Sequence, residues 1–284
     1  MARLKNLDQI TGSLKNLSFY TRKGSDGIIV RTKGGATKEK IKRDPAFANL
    51  RKVNKEFGGC SKMSKQIRMA FYRLEHVAEY NLAPVLSKLA KDIQNTDTEN
   101  PVGERGIYLS KYRYLLSGFD FGRTTRFNTL LRVPLTFAID RQTQQATVNI
   151  PSFTCSFGLN LHDSRSANNS AYGNFRITAA LGVVTDMQLN TANQTYEPVH
   201  DKSGQGYKTL STGWYSTQST VEEQKLFLSL KSESLTPGET INTGDFTDAD
   251  TLVLTVIVEL GMPDAFGNIM PVRGVGGGMV MGLA

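Results

Sequence analysis

The first apolar pattern along the chain is a short alternation, followed by a turn and a second apolar run. Leu17 and Phe19 begin the alternation, and Ile28–Val30 follow the turn sequence Gly24–Gly27. Asp-Gly favours a tight turn because glycine accepts a positive φ, and Ile and Val favour strands. The pattern predicts a β-hairpin over residues 16–33. A lone hairpin is marginal in water, so it must pack on the body or add to the sheet edge of another copy.

A helical period replaces the alternation over residues 44–95. Asp44 followed by Pro45 favours a helix start, because Asp caps the helix and Pro suits the first turn. We expect Gly58-Gly59 to interrupt this helix, and we expect its apolar stripe to pack inside the protein. The stripe consists of Phe47, Leu50, Val53 and Phe57.

A second helix is predicted from about Ser61, and Pro84 is expected to break or kink it. A third, short helical piece follows. Each is predicted to have an apolar face for packing. These faces consist of Ile67, Phe71, Leu74 and Val77 in the second helix, and of Leu86, Leu89 and Ile93 in the third.

Beyond a polar, turn-rich stretch over residues 95–106 the helical period gives way to strands. Short apolar runs separated by loops rich in Asn, Ser, Gly and Asp are typical of antiparallel β-sandwiches and jelly rolls. The expected strands are Leu130–Ile139, Gln145–Ile150, Phe153–Leu161, Phe175–Leu189, Tyr207–Ser216, Lys225–Ser232 and Leu252–Leu260. The predicted fold class is α+β. A basic hairpin-plus-helices region (1–95) precedes a jelly-roll-like β-sandwich domain (106–284) with a glycine-rich C-terminal tail.

Charge is distributed unevenly along the chain. Residues 1–74 hold 18 of the 34 Lys and Arg but 5 of the 26 Asp and Glu, a net charge of +13. The remainder has a net charge of −5. Such asymmetry indicates an anionic partner, which is either nucleic acid, a membrane surface or the acidic body of a neighbouring copy. A lysine-rich, solvated surface is the alternative interpretation.

The basic residues before and on the predicted helices are the candidate contacts to an anion or a nucleic acid. At this density they would neutralise several phosphates in a salt-sensitive, sequence-independent way. Charge complementarity with the acidic body of an adjacent subunit explains them almost as well. The candidates are Lys38, Lys40, Lys42, Arg43, Arg51, Lys52, Lys55, Lys62, Lys65 and Arg68.

Residue types for catalysis or metal binding are sparse. His76, His162 and His200 form no pair with metal-ligand spacing, and Cys60 and Cys155 lack a CxxC partner. His162-Asp-Ser has the residue types of a hydrolytic triad, but triads are not built from adjacent residues. We therefore expect no catalytic residue, no metal and no cofactor.

The length of the apolar runs and the number of cysteines indicate the cellular compartment of the protein. The longest apolar runs are far shorter than a membrane span, and the first residues lack the apolar stretch of a secretory signal. Two cysteines in a chain of 284 residues fit a reducing compartment. We expect a cytoplasmic protein, with a particle or filament released from the cell as the open alternative.

Two stretches near the start resemble an uncharacterised bacterial family associated with the Bacteroidota. They are Gly24-Ser-Asp-Gly-Ile-Ile-Val-Arg-Thr-Lys-Gly-Gly-Ala-Thr-Lys-Glu-Lys-Ile-Lys, and Asp44-Pro-Ala-Phe-Ala-Asn-Leu-Arg followed by Glu56-Phe-Gly-Gly. The match lies mainly in residues 24–59. Val148–Phe153 and Val256–Val272 are similar to later segments, whereas the glycine-rich tail departs from the pattern. The resemblance implies that hairpin, basic helices and β body belong together, and it carries no activity to transfer.

These features predict a structural protein that assembles with copies of itself into a filament, a lattice or a shell. The hairpin has little core of its own, the tail Arg273–Ala284 mixes glycine with apolar residues, and the two halves carry opposite charges. We expect each end to complete a neighbour's sheet by strand addition. By architectural analogy, many viral coat proteins also place a basic arm before a jelly-roll-like body. A nucleic-acid-binding protein using the basic N-terminal region is the alternative, and an enzyme is the third class considered.

Overall fold

The computed structural model describes residues 3–6, 9–21, 28–32, 34–71, 74–161, 172–200, 207–230 and 246–284. The predicted turn at Gly24–Gly27 and the predicted loop at His162 lie outside the described residues. The chain divides into two units, Met1–Arg51 and Lys52–Ala284. The turn-rich stretch 95–106 lies inside the second unit.

The first unit contains an antiparallel sheet in the order β1-β2-β3-β4. Its strands are β1 (Arg3–Asn6), β2 (Gln9–Leu14), β3 (Leu17–Thr21) and β4 (Ile28–Thr32). The predicted hairpin is present as β3 and β4, with Phe19 opposite Val30. The sequence did not predict β1 and β2, because Arg3–Leu14 contains few β-branched or aromatic residues.

Two short helical pieces follow this sheet. Helix α1 (Lys38–Arg43) begins at Thr37, whose hydroxyl accepts a hydrogen bond from the Lys40 backbone N–H at 3.2 Å. A 3-10 turn at Pro45–Phe47 is capped by Asp44, whose carboxylate accepts from the Ala46 N–H at 2.9 Å.

Helix α2 (Ala48–Ala70) runs without a break through Gly58 and Gly59, so the predicted interruption is wrong. Its expected packing stripe is also misplaced, because Leu50, Val53 and Phe57 are exposed. All four members of the second predicted stripe are buried, but only Ile67 lies on α2, and the other three follow its end at Ala70.

Helix α3 (Leu82–Gln94) begins at Asn81, whose side chain accepts a hydrogen bond from the Ala83 N–H at 3.0 Å. Pro84 lies in the first turn of α3, where no intrahelical N–H bond is lost. The predicted break therefore falls earlier, since α2 ends at Ala70 and a 3-10 turn at Glu75–Val77 follows.

The rest of the second unit is mostly antiparallel strand. Two further helices are one turn long, α4 (Phe127–Leu130) and α5 (Cys155–Gly158). The strands before the central hairpin are β5 (Thr136–Asp140), β6 (Gln145–Ile150), β7 (Phe153–Thr154), β8 (Asn174–Thr185), β9 (Met187–Asn190), β10 (Thr195–Pro198), β11 (Tyr207–Ser211), β12 (Tyr215–Ser216), β13 (Thr220–Val221) and β14 (Gln224–Ser229). The hairpin itself consists of β15 (Asp250–Pro263) and β16 (Ile269–Leu283).

Two predicted strands are shorter than expected. Within Leu130–Ile139 only β5 is a strand, because Pro134 just before it has no N–H for a ladder. Within Phe153–Leu161 the chain turns into α5, where Gly158 lies against the Phe153 ring; a Cβ built there would stand 2.3 Å from that ring.

The central sheet has the order β11-β8-β15-β16, with β12 also paired to β8. Both of its faces are buried, which explains the nearly continuous apolar sequence of β8 and β15. On one face Ile177, Val256 and Leu254 share a core with β6 and β14 of the sheet β14-β6-β5. On the opposite face Val253 and Ile257 share a core with α2 and α3.

The glycine-rich tail is strand β16 of this sheet. It pairs along β15 of the same chain, from Pro263 opposite Ile269 to Val253 opposite Leu283. The expectation that the tail orders against a neighbouring copy is therefore wrong. Its glycines make room for neighbours: a Cβ on Gly278 would stand 2.8 Å from the Phe121 ring.

Antiparallel sheets combined with helices confirm the α+β class. The described sheets are open, and the jelly-roll connection stays a prediction. Within the described residues, no helix combines the length and apolar character needed to cross a membrane.

Candidate assembly interface

The sheet of the first unit places apolar side chains on one face. Residues directly opposite each other in adjacent strands share a face. Leu14 lies opposite Leu17, and Phe19 lies opposite Val30. Because residues two apart in a strand also share a face, Ile28 joins them. We call this set of five residues the apolar sheet face.

This apolar sheet face is poorly covered. Leu14 is 58% exposed and Val30 is 51% exposed, while Phe19 and Ile28 are half-buried. Among the residues of the first unit whose burial the structure describes, none is buried. A sheet reaches stability by burying one face against another layer, so this face is a candidate surface for such a contact.

A second exposed apolar cluster lies at the tip of the β15–β16 hairpin. Met262 lies opposite Met270, and Phe266 in the turn between them is 90% exposed. Asp264 fixes the turn, because its carboxylate accepts hydrogen bonds from the N–H groups of Phe266 at 2.8 Å and Asn268 at 2.9 Å. Met262, Phe266 and Met270 thus form a preformed apolar projection, here called the hairpin tip.

A groove of about 610 Å³ between α2 and α3 is a third surface. Phe57 lines it together with small residues such as Ser61 and Ala83. Arg68 and Lys88 place positive charge at its wall. The lining of the groove therefore combines apolar, hydroxyl and basic side chains.

The predicted anion contacts before α2 lie on one short helix. Four of them are exposed side chains on α1: Lys38, Lys40, Lys42 and Arg43. Arg51, in the first turn of α2, has a different role, because its guanidinium donates to the backbone oxygens of Ile41 at 2.7 Å and Asp44 at 2.9 Å. Arg51 therefore fixes the chain between α1 and α2.

The predicted contacts on α2 are divided between free and engaged cations. Lys55 donates to Gln194 at 2.6 Å, and Lys62 donates to the backbone oxygen of Tyr196 at 2.8 Å. Arg68 lies 3.6 Å from Glu75. Lys52 and Lys65 are exposed. Apart from Arg51, three of the five predicted contacts on α2 thus reach other parts of the second unit, and α2 presents no single row of free cations.

A buried carboxylate joins the two long helices to the turn-rich stretch. Glu56 accepts from Lys91 at 2.6 Å, from Arg105 at 2.8 and 2.6 Å, and from the Gly103 N–H at 2.8 Å. Burial alone raises the pKa of Glu56, but these hydrogen bonds and the Lys91 charge lower it to about 2. The cluster has all its partners inside the protein and is structural.

A second buried carboxylate lies at the base of a cleft of about 720 Å³ beside the central sheet. Glu259 accepts from Arg176 at 2.6 and 3.1 Å and from Thr178 at 2.5 Å, and His76 Nε2 lies 2.9 Å from it. Burial raises its pKa, and hydrogen bonds from His76, Arg176 and Thr178 outweigh that effect and lower it to about 2. Glu259 therefore stays ionised and cannot act as a general acid near neutral pH.

Sequence reasoning singled out neither carboxylate. Glu259 did carry a signal, since it is the one charged residue inside the apolar run Leu252–Leu260. Glu56 carried none, because its cationic partners are 35 and 49 residues away. The two histidines that lie within the described residues have different carboxylate neighbours. His76 lies beside Glu259, and His200 Nδ1 lies 3.6 Å from Asp250. Over the described ranges, no group of His, Cys, Asp and Glu could hold a metal ion.

No family model, curated protein or solved structure matches this chain.

Proposed function

We propose that this chain is a structural subunit of a homopolymer, whether a filament, a lattice or a shell. In this proposal the antiparallel body is a jelly-roll-like sandwich, and the first unit is the arm that joins one copy to the next. Support for the sandwich comes from the shared core of the central sheet and β14-β6-β5. The proposal assigns no catalytic step to the chain.

The observation that carries the proposal is the uncovered apolar sheet face. Leu14, Leu17, Phe19, Ile28 and Val30 converge on one side of a four-stranded sheet that buries no described side chain. Apolar surface contributes roughly 25 cal/mol per Å² when it is removed from water. Covering this face with a neighbouring copy therefore supplies both the stability of the first unit and the driving force for assembly.

Charge indicates which surface of the neighbour covers this face. Residues 1–51 contain 12 basic and 4 acidic residues, a net charge of +8, and residues 52–284 are neutral overall. At the α2–α3 groove Arg68 and Lys91 are paired with Glu75 and Glu56, and Lys88 adds a positive charge that repels the arm. The turn of the hairpin tip instead carries the carboxylate of Asp264. We therefore assign the hairpin tip as the partner surface.

A contact between two different surfaces of identical chains is heterologous, and such contacts extend into rings or open polymers. This geometry fits a filament, lattice or shell. It requires both surfaces on every copy, which the arm and the hairpin tip supply.

Paired charge substitutions test the proposal. Val30→Asp places a charge on the apolar sheet face, and Ser18→Asp places the same charge on the opposite face of the same sheet. Phe266→Asp and its neighbour Ala265→Asp form the matched pair at the hairpin tip. Sedimentation should show smaller species for Val30→Asp and Phe266→Asp, and unchanged assembly for the two controls. Unchanged assembly of both Val30→Asp and Phe266→Asp would refute the proposed contact.

The exposed cations of α1 favour a second function, sequence-independent binding of nucleic acid. Lys38, Lys40, Lys42 and Arg43 are all exposed on six residues of helix. Substituting any three of these four side chains with Gln should reduce the slope of log affinity against log salt concentration by about 2–3. Retention of the intact chain on heparin at low salt, lost in the triple variant, would support this function. No retention of the intact chain would remove it.

A further inference from the structure

The cleft beside the central sheet is lined by two arginines that the assembly contact does not use. Arg176 lies on β8 and Arg273 lies on β16, and both line the cleft together with Glu259 of the strand between them. We propose that this cleft binds a small molecule bearing an oxyanion, either a phosphate or a carboxylate, between the two guanidinium groups.

Arg176 is held in place before any ligand arrives. Glu259 accepts its Nε–H at 2.6 Å and one terminal amino group at 3.1 Å, and the Trp214 ring lies 4.6 Å from its guanidinium carbon. A guanidinium has five N–H donors in a fixed plane. Glu259 uses one edge of that plane, so the second terminal amino group is left for a ligand.

Arg273 supplies the second positive charge. Its side chain is exposed, and no hydrogen bond or ion pair joins it to any other described residue. Arginine favours phosphate and carboxylate because its planar fork matches two oxygen atoms of either group. An exposed arginine in the lining of a cleft that also holds a fixed one can therefore supply a second guanidinium to the same ligand.

The charge balance of the cleft favours an anion. Glu259 is compensated by Arg176, and Glu75 at the margin lies 3.6 Å from Arg68. Among the described residues, no carboxylate forms an ion pair with Arg273. The cleft also includes the hydroxyl residues Thr209 and Ser211. Its volume of about 720 Å³ lies in the range of small-molecule sites, which is 300–1,000 Å³.

Trp214 makes the test direct, because it is the chain's one tryptophan and contacts Arg176. The intact chain is titrated with inorganic phosphate and, separately, with citrate at constant ionic strength, using sodium chloride as the blank. Tryptophan fluorescence and titration calorimetry are both recorded. Saturable binding of phosphate identifies a phosphate ligand, and saturable binding of citrate identifies a carboxylate; either supports the site.

Arg273→Gln should weaken that binding tenfold or more. Arg132→Gln is the matched control, because Arg132 is exposed in the same unit and lies outside the cleft. Binding in Arg132→Gln should equal that of the intact chain. The proposal is overturned if neither anion gives a saturable signal, or if the two variants lose affinity equally. Assembly does not enter this readout, so the two proposals fail independently.

Discussion

Gly59 of α2 lies against the ring of Tyr196: a Cβ built on Gly59 would stand 2.6 Å from Tyr196 Cγ. The ring has little freedom to move away, because its hydroxyl donates to the backbone oxygen of Arg105 at 2.8 Å. Tyr196 itself is buried. The glycine therefore serves close packing of β10 on a continuous helix, and it does not end that helix.

The two neighbouring glycines give a matched pair of substitutions. Gly59→Ala should destabilise the fold by about 1–3 kcal/mol, because the added methyl group overlaps the Tyr196 ring. Gly58→Ala meets open space and should stabilise it by up to about 1 kcal/mol through helix propensity. Urea unfolding followed by Trp214 fluorescence measures both. Equal effects of the two substitutions would show that the Tyr196 contact is unimportant.

The sequence predicted those elements that are determined by residues close together in the chain. The β3–β4 pairing, the Asp44 cap and the buried stripe through Ile67 and Phe71 follow from propensity, capping and periodicity. The continuous α2 could not be predicted, because the partner of Gly59 is Tyr196, which is 137 positions away in the chain.

The pairing of the tail and the surroundings of the buried carboxylates could not be predicted for the same reason, because both depend on residues far away in the sequence. The glycine-rich tail was predicted to complete a neighbour's sheet, yet the missing side chains of its glycines admit Phe121 and other neighbours from distant segments of the same chain. At the candidate interface, the hairpin was predicted to need a partner. The hairpin tip was not predicted, since Met262 and Met270 are brought opposite each other only by strand register, with Phe266 in the turn between them.

Acid should destabilise the fold through Glu56 and Glu259. The pKa of each is about 2 in the fold against 4.5 as the ordinary value. A lowered folded-state pKa contributes stability above pH 4.5, and this contribution is lost as the pH falls from about 4.5 toward 2. It amounts to at most about 3 kcal/mol for each carboxylate.

Replacing one carboxylate tests this linkage. The urea midpoint of the intact chain should fall steadily below pH 4.5, and Glu259→Gln should show a shallower fall because one titrating group is missing. As a control, exposed Glu222→Gln should reproduce the slope of the intact chain. An identical pH dependence for Glu259→Gln and the intact chain would contradict the assignment.

Deleting the two ends should have different consequences. Removing residues 274–284 takes most of β16 from the central sheet and exposes both cores, so the second unit should unfold. Removing residues 1–34 leaves those cores intact and should give a folded chain that assembles less. Near-ultraviolet circular dichroism and Trp214 fluorescence distinguish the outcomes. A folded chain without residues 274–284 would show that β16 is dispensable.

A mixing experiment tests whether the assembly contact is heterologous. Val30→Asp keeps an intact hairpin tip, and Phe266→Asp keeps an intact apolar sheet face. Each variant alone should fail to assemble, while an equal mixture should form dimers through the one remaining pair of good surfaces. A mixture that stays monomeric would contradict the pairing of sheet face with hairpin tip.

Sedimentation velocity of the intact chain, from low to high micromolar concentration, tests the central claim most directly. Assembly driven by the apolar sheet face predicts species larger than the 31.3 kDa monomer that grow with concentration. Assembly should occur without low ionic strength, because the proposed contact is apolar. A single 31.3 kDa species at every concentration would contradict the account.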